Sequence, residues 1–343
     1  VRPKSRDLLI QQGIEACQKS GYQEMTLSSL SSSDYRQLEG LCDGLLEYCA
    51  PRNINLNLPS LRADGFSMSI MEKLQRSRKS SITFAPEAGT QRLRDAINKN
   101  VTEEDLLKSC RTVFEGGCNA VKLYFMLGLP TETDEDVLGI ADLANKVYLC
   151  WRQYAVSRAR GIRITVSTSF FVPKPFTPFQ WEGQITMEEY QRRVQLLRSA
   201  ITNKSIIYNW HDPDTSYLEA VFARGDRRLA PVIEEAWRQG AKFDSWSEYF
   251  DLDRWLNACR TCGVEPDFYA TRERTKDEVL PWSHISVGVR PAYFWREREQ
   301  AYKSVITPDC RVQCMGCGAD RLLECGKCDE ALTRRERAER GEA

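Results

Sequence analysis

The chain has 343 residues, 42% hydrophobic and 10% aromatic, a composition typical of a soluble globular protein with two or three domains. The chain has 48 lysine and arginine residues and 48 aspartate and glutamate residues, so its net charge gives no indication of nucleic-acid binding. A local basic patch is still compatible with this composition. No apolar run approaches the roughly 18 residues of a membrane helix, and the 13 cysteines without a secretory signal indicate the reducing cytoplasm.

Helix and strand patterns alternate along residues 1–210. Apolar side chains recur at helical spacing in 5–20, and 22–30 then has the pattern of a strand. Further strand-like runs begin near residues 53, 81, 119, 162 and 205, with helix-like segments between them. No glycine-rich phosphate loop follows any of these strands. The alternation predicts an α/β fold with a parallel sheet, either an open sheet or a barrel, and with helices packed outside it.

The predicted array begins with a helix rather than a strand. In a parallel βα array such a helix normally packs against a strand that precedes it. We therefore expect the first strand of the array to lie upstream of Val1.

Three further regions follow the array. Residues 211–305 have mostly helical patterns, with one additional strand predicted at LPWSHISVGV from Leu280. Residues 306–330 are rich in cysteine, and 331–343 form a charged tail that we expect to be a solvated helix or disordered. Cys42, Cys49 and Cys110 occupy apolar helix positions and are predicted to be core residues.

The stretch DCRVQCMGCGADRLLECGKC, residues 309–328, contains two CxxC pairs. Four thiolates at such spacing are typical of tetrahedral zinc, so the sequence predicts a zinc knuckle. Its ligands are Cys314, Cys317, Cys325 and Cys328, with Cys310 as a possible substitute. Cys310, Cys314 and Cys317 also have the spacing CxxxCxxC, so an iron-sulfur cluster is an alternative to zinc. A segment without any metal is a second alternative.

Five stretches stand at or after the ends of predicted strands. They are SLSSSDY from Ser29, LPSLRAD from Leu58, APEAGTQRLRDAINK from Ala85, FMLGLPTETDED from Phe125 and FFVPKPFTPFQW from Phe170. In this order they resemble the radical S-adenosylmethionine (radical SAM) superfamily, and within it the subgroup with an N-terminal cobalamin-binding domain.

The resemblance implies a partial parallel (β/α)6 barrel, similar to a TIM barrel, over residues 1–210. S-adenosylmethionine would lie across the carboxyl ends of its strands. A reduced 4Fe-4S cluster, held by three cysteines of a CxxxCxxC loop, would cleave it to a 5'-deoxyadenosyl radical that takes hydrogen from a substrate. VRPKSRD, residues 1–7, resembles the segment that follows this loop. The cluster cysteines and strand one are therefore expected upstream, and this fragment alone is expected to be inactive.

The resemblance also implies partners and cofactors outside the chain. Cobalamin would bind to an upstream domain, and an electron donor such as flavodoxin or ferredoxin would reduce the cluster. The substrate is not readable from the residues. The rival interpretation is a non-catalytic barrel whose zinc knuckle binds nucleic acid or a protein partner.

Candidate cofactor-binding residues follow from the resemblance, and each has a plainer structural explanation. Glu87, Gly89 and Arg92 would contact the ribose and carboxylate of the cofactor, or simply begin a helix. Gly128 and Pro130 would allow close backbone approach, or simply form a turn.

Other polar residues near strand ends complete the cofactor set. Ser29, Ser31 and Ser33 would bind the methionyl end, or simply cap a helix. Arg62 and Lys122 would point outward, or into a polar barrel lumen where a carboxylate must be neutralised.

The segment 173–181, PKPFTPFQW, is predicted to line the substrate mouth, with Lys174 and Thr177 as its polar groups. Ordinary loop packing explains it as well. His211, one of two histidines, would donate a proton or ligate a metal, or be structural.

Overall fold

Parallel strands form two sheets in the computed structural model, which describes residues 4–29, 35–57, 82–310 and 312–319. The strands are β1 Glu24–Thr26, β2 Asn55–Asn57, β3 Ile82–Glu87, β4 Ala120–Leu127, β5 Arg163–Phe170 and β6 Ile206–Trp210. β1 pairs with β2, and β3 to β6 form a second sheet in sequential order. Every one of these pairings is parallel, so the prediction of a parallel α/β fold is confirmed.

Helices connect and follow these strands. They are α1 Arg6–Ser20, α2 Leu38–Cys49, α3 Gln91–Ala96, α4 Glu103–Glu115, α5 Asp134–Tyr154, α6 Met187–Ala200, α7 Pro213–Ala223, α8 Ala230–Arg238, α9 Leu252–Thr261, α10 Asp267–Ala270 and α11 Pro291–Tyr302. Threonines begin several of them: Thr102 and Asp105 form the capping box that the sequence predicts, and Thr186 caps α6.

The larger sheet is apolar on one face. Along β4, Val121, Leu123, Phe125 and Leu127 are buried, and they alternate with partly exposed residues. They belong to one cluster with apolar residues of α4, α5 and α6, which we call the sheet core. Burial of such a side chain stabilises the fold by roughly 1.5 to 3 kcal/mol, so this alternation fixes which face the helices cover.

The two-stranded sheet has its own core. Met25 of β1 and Leu56 of β2 pack with apolar residues of α1 and α2, which we call the N-terminal core. Residues at the alternate positions are polar, and Asn57 Nδ2 donates to Glu24 Oε1 at 2.5 Å. Both sheets therefore combine one apolar face with one polar face.

The region after β6 is mainly helical, as predicted. Helices α7 to α10 enclose a further cluster that includes Trp255 and Cys259, which we call the C-terminal core. Helix α11 packs on the 3-10 helix Pro178–Trp181, and the rings of Trp295 and Trp181 meet edge to face at 5.1 Å. No described helix combines the length and apolar character needed to cross a membrane.

The prediction of a strand from Leu280 is wrong. Residues 280–289 form turns, in which Ser283 N–H donates to Leu280 O and Ile285 N–H donates to Trp282 O, each at 2.9 Å. These local hydrogen bonds engage backbone groups that a ladder would need. Leu280 and Trp282 are nevertheless buried, which explains the strand-like apolar pattern.

Cysteines are distributed among all three cores. Cys42, Cys49 and Cys110 are fully buried, which confirms their prediction as core residues. Burial raises the pKa of the Cys110 thiol well above its usual value, and that of Cys150 to about 11. All cysteines within the described ranges are free thiols.

Candidate functional site

Polar side chains occupy the sheet face opposite the sheet core. The register aligns Thr83 of β3, Lys122 of β4 and Thr165 of β5 in one row across the sheet. Tyr124 and Ser167 form the next row, and the Lys122 ammonium lies 4.5 Å from the Tyr124 ring centroid. Lys122 therefore lies on the polar face of the sheet and not in the core.

Glu87 ends β3 in an unusual backbone conformation. Its φ of +69° lies in the left-handed region, and the ladder with β4 is irregular between Phe84 and Glu87. A non-glycine residue in this region costs of order 1 kcal/mol or more and is found often at functional sites. The carboxylate pairs with Lys99 Nζ at 3.0 Å.

Asp136 ties the turn after β3 to the first turn of α5. Its carboxylate accepts hydrogen bonds from the Thr90 hydroxyl and the Arg92 guanidinium. The Thr133 amide and hydroxyl donate to it at 2.8 and 2.9 Å. Burial opposes ionisation of Asp136, but these hydrogen bonds hold its pKa below the usual value.

Arg92 is thus committed to the protein itself. Besides the Asp136 contact, its Nη2 donates to the Thr131 carbonyl at 2.9 Å. Arg92 therefore clamps the loops after β3 and β4 together, and its contact with a cofactor stays a prediction.

Gly89 is required by packing against a helix. A β-carbon here would lie 2.3 Å from Asp136 O and 2.4 Å from Ile140 N, so only glycine lets this turn approach α5. The backbone of this turn therefore lies directly against the α5 backbone, and a cofactor contact at Gly89 stays a prediction.

Gly128 and Glu132 form the turn after β4. Gly128 has a φ of +89°, and its amide donates to Glu132 Oε2 at 2.7 Å. The Glu132 carboxylate also contacts the Arg193 guanidinium, and both side chains are largely buried. Burial raises the pKa of Glu132 to about 7, although the Gly128 amide and Arg193 favour its charged form.

A chain of charges extends from this turn along the helix ends. Arg193 also binds Glu189 at 2.7 Å, and Arg192 joins Glu189 to Asp134, the first residue of α5, at 2.7 and 2.6 Å. Sequence reasoning missed Glu132 and Arg193. The position of Glu132 within GLPTET was the available signal, but its partner is 61 residues away along the chain.

The remaining predicted residues are spread more widely. Ser29 is exposed just after β1, whereas Ser31, Ser33 and Arg62 lie outside the described residues. Lys174 pairs with Glu219 of α7, and the Thr177 hydroxyl donates to the Lys174 carbonyl at 2.7 Å. His211 follows β6, where its backbone amide donates to Thr168 O at 2.9 Å.

The loops after β3 and β4 are brought together, since Arg92 binds Thr131 between them. Glu87 ends β3, and Gly89, Gly128 and Pro130 lie in these two loops. The ammonium of Lys174 pairs with Glu219 of α7. The convergence of Lys174 and these four residues on one polar cleft stays a prediction.

The cysteine-rich segment returns to this end of the sheet. The Thr307 amide donates at 3.0 Å to Asn98, which follows α3. Arg290 N–H donates to Cys317 O at 2.9 Å, and Ala319 N–H lies 3.5 Å from Cys317 Sγ. Cys310 and Cys314 are exposed and Cys317 is partly so, whereas Cys325 and Cys328 lie outside the described residues. Within the described ranges, no three potential ligand residues are grouped for a metal.

Comparison with known proteins identifies the domain. Residues 3–144 match the model of the radical SAM superfamily. The chain is also similar to an uncharacterised protein of Methanocaldococcus jannaschii, with 26% identity over 245 residues. That alignment covers 70% of this chain and 50% of the relative, so the chain spans about half of the relative's length. The match places a radical SAM domain at residues 3–144, and the parallel α/β architecture agrees with it.

Proposed function

We propose that the protein is a radical SAM enzyme that binds S-adenosylmethionine over the polar sheet face, at the loops after β3 and β4. The observation that carries this proposal is the row of polar side chains on that face, beside two loops with left-handed turns at Glu87 and Gly128. An apolar ligand would leave these polar groups without partners, whereas a zwitterionic, sugar-containing cofactor would satisfy them.

The residues present fit the cofactor at specific atoms. Lys122 makes no ion pair with any residue that the structure describes, so its ammonium is available to a carboxylate. The Glu87 carboxylate, a quarter exposed beside Lys99, is available to ribose hydroxyls. Arg92 is omitted from this set because its Nη2 already donates to Asp136 and to the Thr131 carbonyl.

In this family the bound cofactor and a reduced 4Fe-4S cluster supply a carbon radical that abstracts hydrogen from the substrate. The chain itself would orient the cofactor by neutralising its carboxylate at Lys122. The hydrogen bonds that Asp136 accepts from Thr90, Arg92 and Thr133 would hold the two loops at a fixed separation. The buried Glu132 would fix the Gly128 turn by accepting from its amide.

Finer features of the enzyme are also proposals. We infer an association with cobalamin and reduction by a flavodoxin or ferredoxin from the resemblance of the five motifs to the cobalamin-associated subgroup.

The test uses protein produced from its complete coding sequence, reconstituted with iron and sulfide and reduced with dithionite. We expect conversion of S-adenosylmethionine to 5'-deoxyadenosine, measured by liquid chromatography. Lys122→Met should weaken cofactor binding at least about tenfold, since about 1.4 kcal/mol of a charge-assisted contact is lost. Lys146→Met, which removes an exposed lysine on α5, is the matched control and should leave binding unchanged.

Two outcomes would contradict the proposal. Equal effects of Lys122→Met and Lys146→Met would exclude the polar face as the cofactor site. Absence of 5'-deoxyadenosine together with bound zinc and no iron would favour the rival, a non-catalytic barrel with a zinc knuckle for nucleic acid or a protein.

A further inference from the structure

Two arginines are buried together in the C-terminal region without a carboxylate at hydrogen-bonding distance. Arg224 and Arg274 have exposed fractions of 0% and 2%. Arg224 donates to the carbonyls of Ala270 at 2.5 Å and Arg272 at 2.8 Å, and Arg274 donates to the carbonyl of Arg224 at 2.6 Å. These acceptors are all neutral backbone groups, so they satisfy donors without neutralising charge.

The carboxylate that pairs with Arg274 is already shared. Glu278 lies 3.9 Å from Arg274 Nε, and Arg272 binds both of its oxygens at 2.6 and 2.8 Å. Arg224 Nε and Arg274 Nε and Nη1 are buried without an acceptor among the described residues. Burial together with Arg274 and Arg272 lowers the pKa of Arg224 to about 9, consistent with an excess of positive charge.

A cavity of about 750 Å³ lies directly beside this pair. Gly225, the neighbour of Arg224 in the chain, lines it, as does Trp282, whose ring lies 5.1 Å from the Arg274 guanidinium carbon. Residues adjacent to each arginine therefore form part of the cavity wall. Charges held in a low-dielectric interior are screened less than exposed charges, so their positive potential acts at this wall.

The cavity wall adds to the positive potential. Its one carboxylate, Asp226, is bound by Arg228 at 2.6 Å, and hydrogen bonds from Arg228 hold the Asp226 pKa at about 2. Arg227 lines the cavity, is exposed and makes no ion pair within the described part of the chain. The net charge presented to a ligand is therefore positive.

We propose that this cavity binds an oxyanion, a phosphate or a carboxylate, with Arg227 as its direct ligand and Arg224 and Arg274 as buried sources of positive potential. Pro175 and Phe176 of the predicted substrate mouth also line the cavity. The oxyanion is accordingly an anionic group of the substrate, an assignment that rests on the proposed function. The binding of the anion does not depend on it.

The test titrates inorganic phosphate, and separately acetate, into the 343-residue chain at low ionic strength by isothermal calorimetry. We expect one saturable site. Arg227→Gln should weaken binding at least about tenfold, the effect of losing one charge-assisted contact. Arg238→Gln is the matched control, because this exposed arginine of α8 pairs with Glu234 and does not line the cavity.

Thermal unfolding gives a second measurement. Phosphate should raise the melting temperature of the wild type and of Arg238→Gln, and should do so much less for Arg227→Gln. Tighter binding of phosphate indicates a phosphorylated substrate, and tighter binding of acetate indicates a carboxylate. Lack of saturable binding for both anions, or equal weakening in the two variants, would overturn the proposal. Because the titration contains no S-adenosylmethionine, its result is separable from that of the 5'-deoxyadenosine assay.

Discussion

Glu132 shows how one buried carboxylate organises a turn. It accepts from the Gly128 amide and contacts the Arg193 guanidinium, so it joins the end of β4 to α6. Removal of one partner of a buried ion pair leaves the other charge uncompensated, a cost that usually exceeds that of a lost surface contact.

We expect Glu132→Ala to lower the free energy of unfolding by about 3 kcal/mol at pH 8, because Arg193 and the Gly128 amide lose their acceptor. Urea denaturation measures this change. Glu135 is exposed in the first turn of α5, three residues after Glu132. Glu135→Ala should therefore change the free energy of unfolding by less than about 0.5 kcal/mol. A loss of similar size in both variants would contradict the role of the buried pair.

The raised pKa of Glu132 predicts that the stability of the protein depends on pH. Its pKa is raised from 4.5 to about 7, so between these values the folded protein keeps a proton that the unfolded chain releases. The contribution of Glu132 to the free energy of unfolding should therefore fall as pH rises from 4.5 to 7, by up to about 3 kcal/mol.

Glu132→Gln, which does not titrate, isolates this contribution. Relative to wild type, the variant should become more stable as pH increases through that window, as measured by urea denaturation at several pH values. A wild type and variant with parallel pH profiles would show that Glu132 ionises normally.

Helix α5 is the element against which the loops after β3 and β4 are fixed. Gly89 touches its backbone, and Asp136 in its first turn accepts from Thr90, Arg92 and Thr133. Both contacts act at the first two turns of the helix, so they set its distance from β3.

Gly89→Ala should therefore displace α5 and lower the free energy of unfolding by about 2 kcal/mol, since the added methyl group meets backbone atoms that cannot move aside. Thermal or urea unfolding measures the loss. In Gly40→Ala, the new methyl group meets, among the described residues, only the flexible Arg6 side chain at 3.4 Å, and helix propensity favours alanine. This control should be neutral or slightly more stable, and a similar loss in it would refute the packing argument.

The elements themselves were largely predictable from sequence, because their determinants are local. Alternating burial along β4 and the Thr102–Asp105 capping box involve residues a few positions apart. The site was less predictable. The sequence predicts Arg92 as a cofactor ligand, and the structure adds a contact with Asp136, which is 44 residues away along the chain. No local pattern shows that such a partner exists. The prediction of a strand from Leu280 was wrong for a related reason. Trp282 lies in a turn, but residues distant in the sequence bury it, so its segment has the apolar pattern of a strand.

At the scale of the whole molecule, the C-terminal segment and the strand-end loops are neighbours. Arg290 and Arg296 of the α11 region donate to the carbonyls of Gly316 and Met315 at 3.1 and 2.8 Å. With the Thr307 contact to Asn98, these bonds hold the first CxxC pair close to α3 and α11. A metal bound at this pair would thus act on a segment that packs on the sheet domain.

Metal analysis of the purified chain should find about one zinc, held by the four cysteines of the two CxxC pairs. Cys314→Ser and Cys317→Ser should each release it, whereas Cys262→Ser, at the end of α9, should not. Iron with visible absorbance that disappears when Cys310, Cys314 and Cys317 are changed would instead indicate an iron-sulfur cluster.

Because each core has thiols of its own, the order in which the molecule opens can be followed chemically. Cys42 and Cys49 report on the α1–α2 unit, Cys110 and Cys118 on the sheet core, and Cys259 on the C-terminal core. These side chains are enclosed, so an alkylating reagent reaches them only when the surrounding structure opens. Mass spectrometry of protein alkylated for increasing times would give a separate opening rate for each unit. We expect the two-stranded unit to be labelled before Cys110, since its strands have only three residues each and a single partner strand among the described residues.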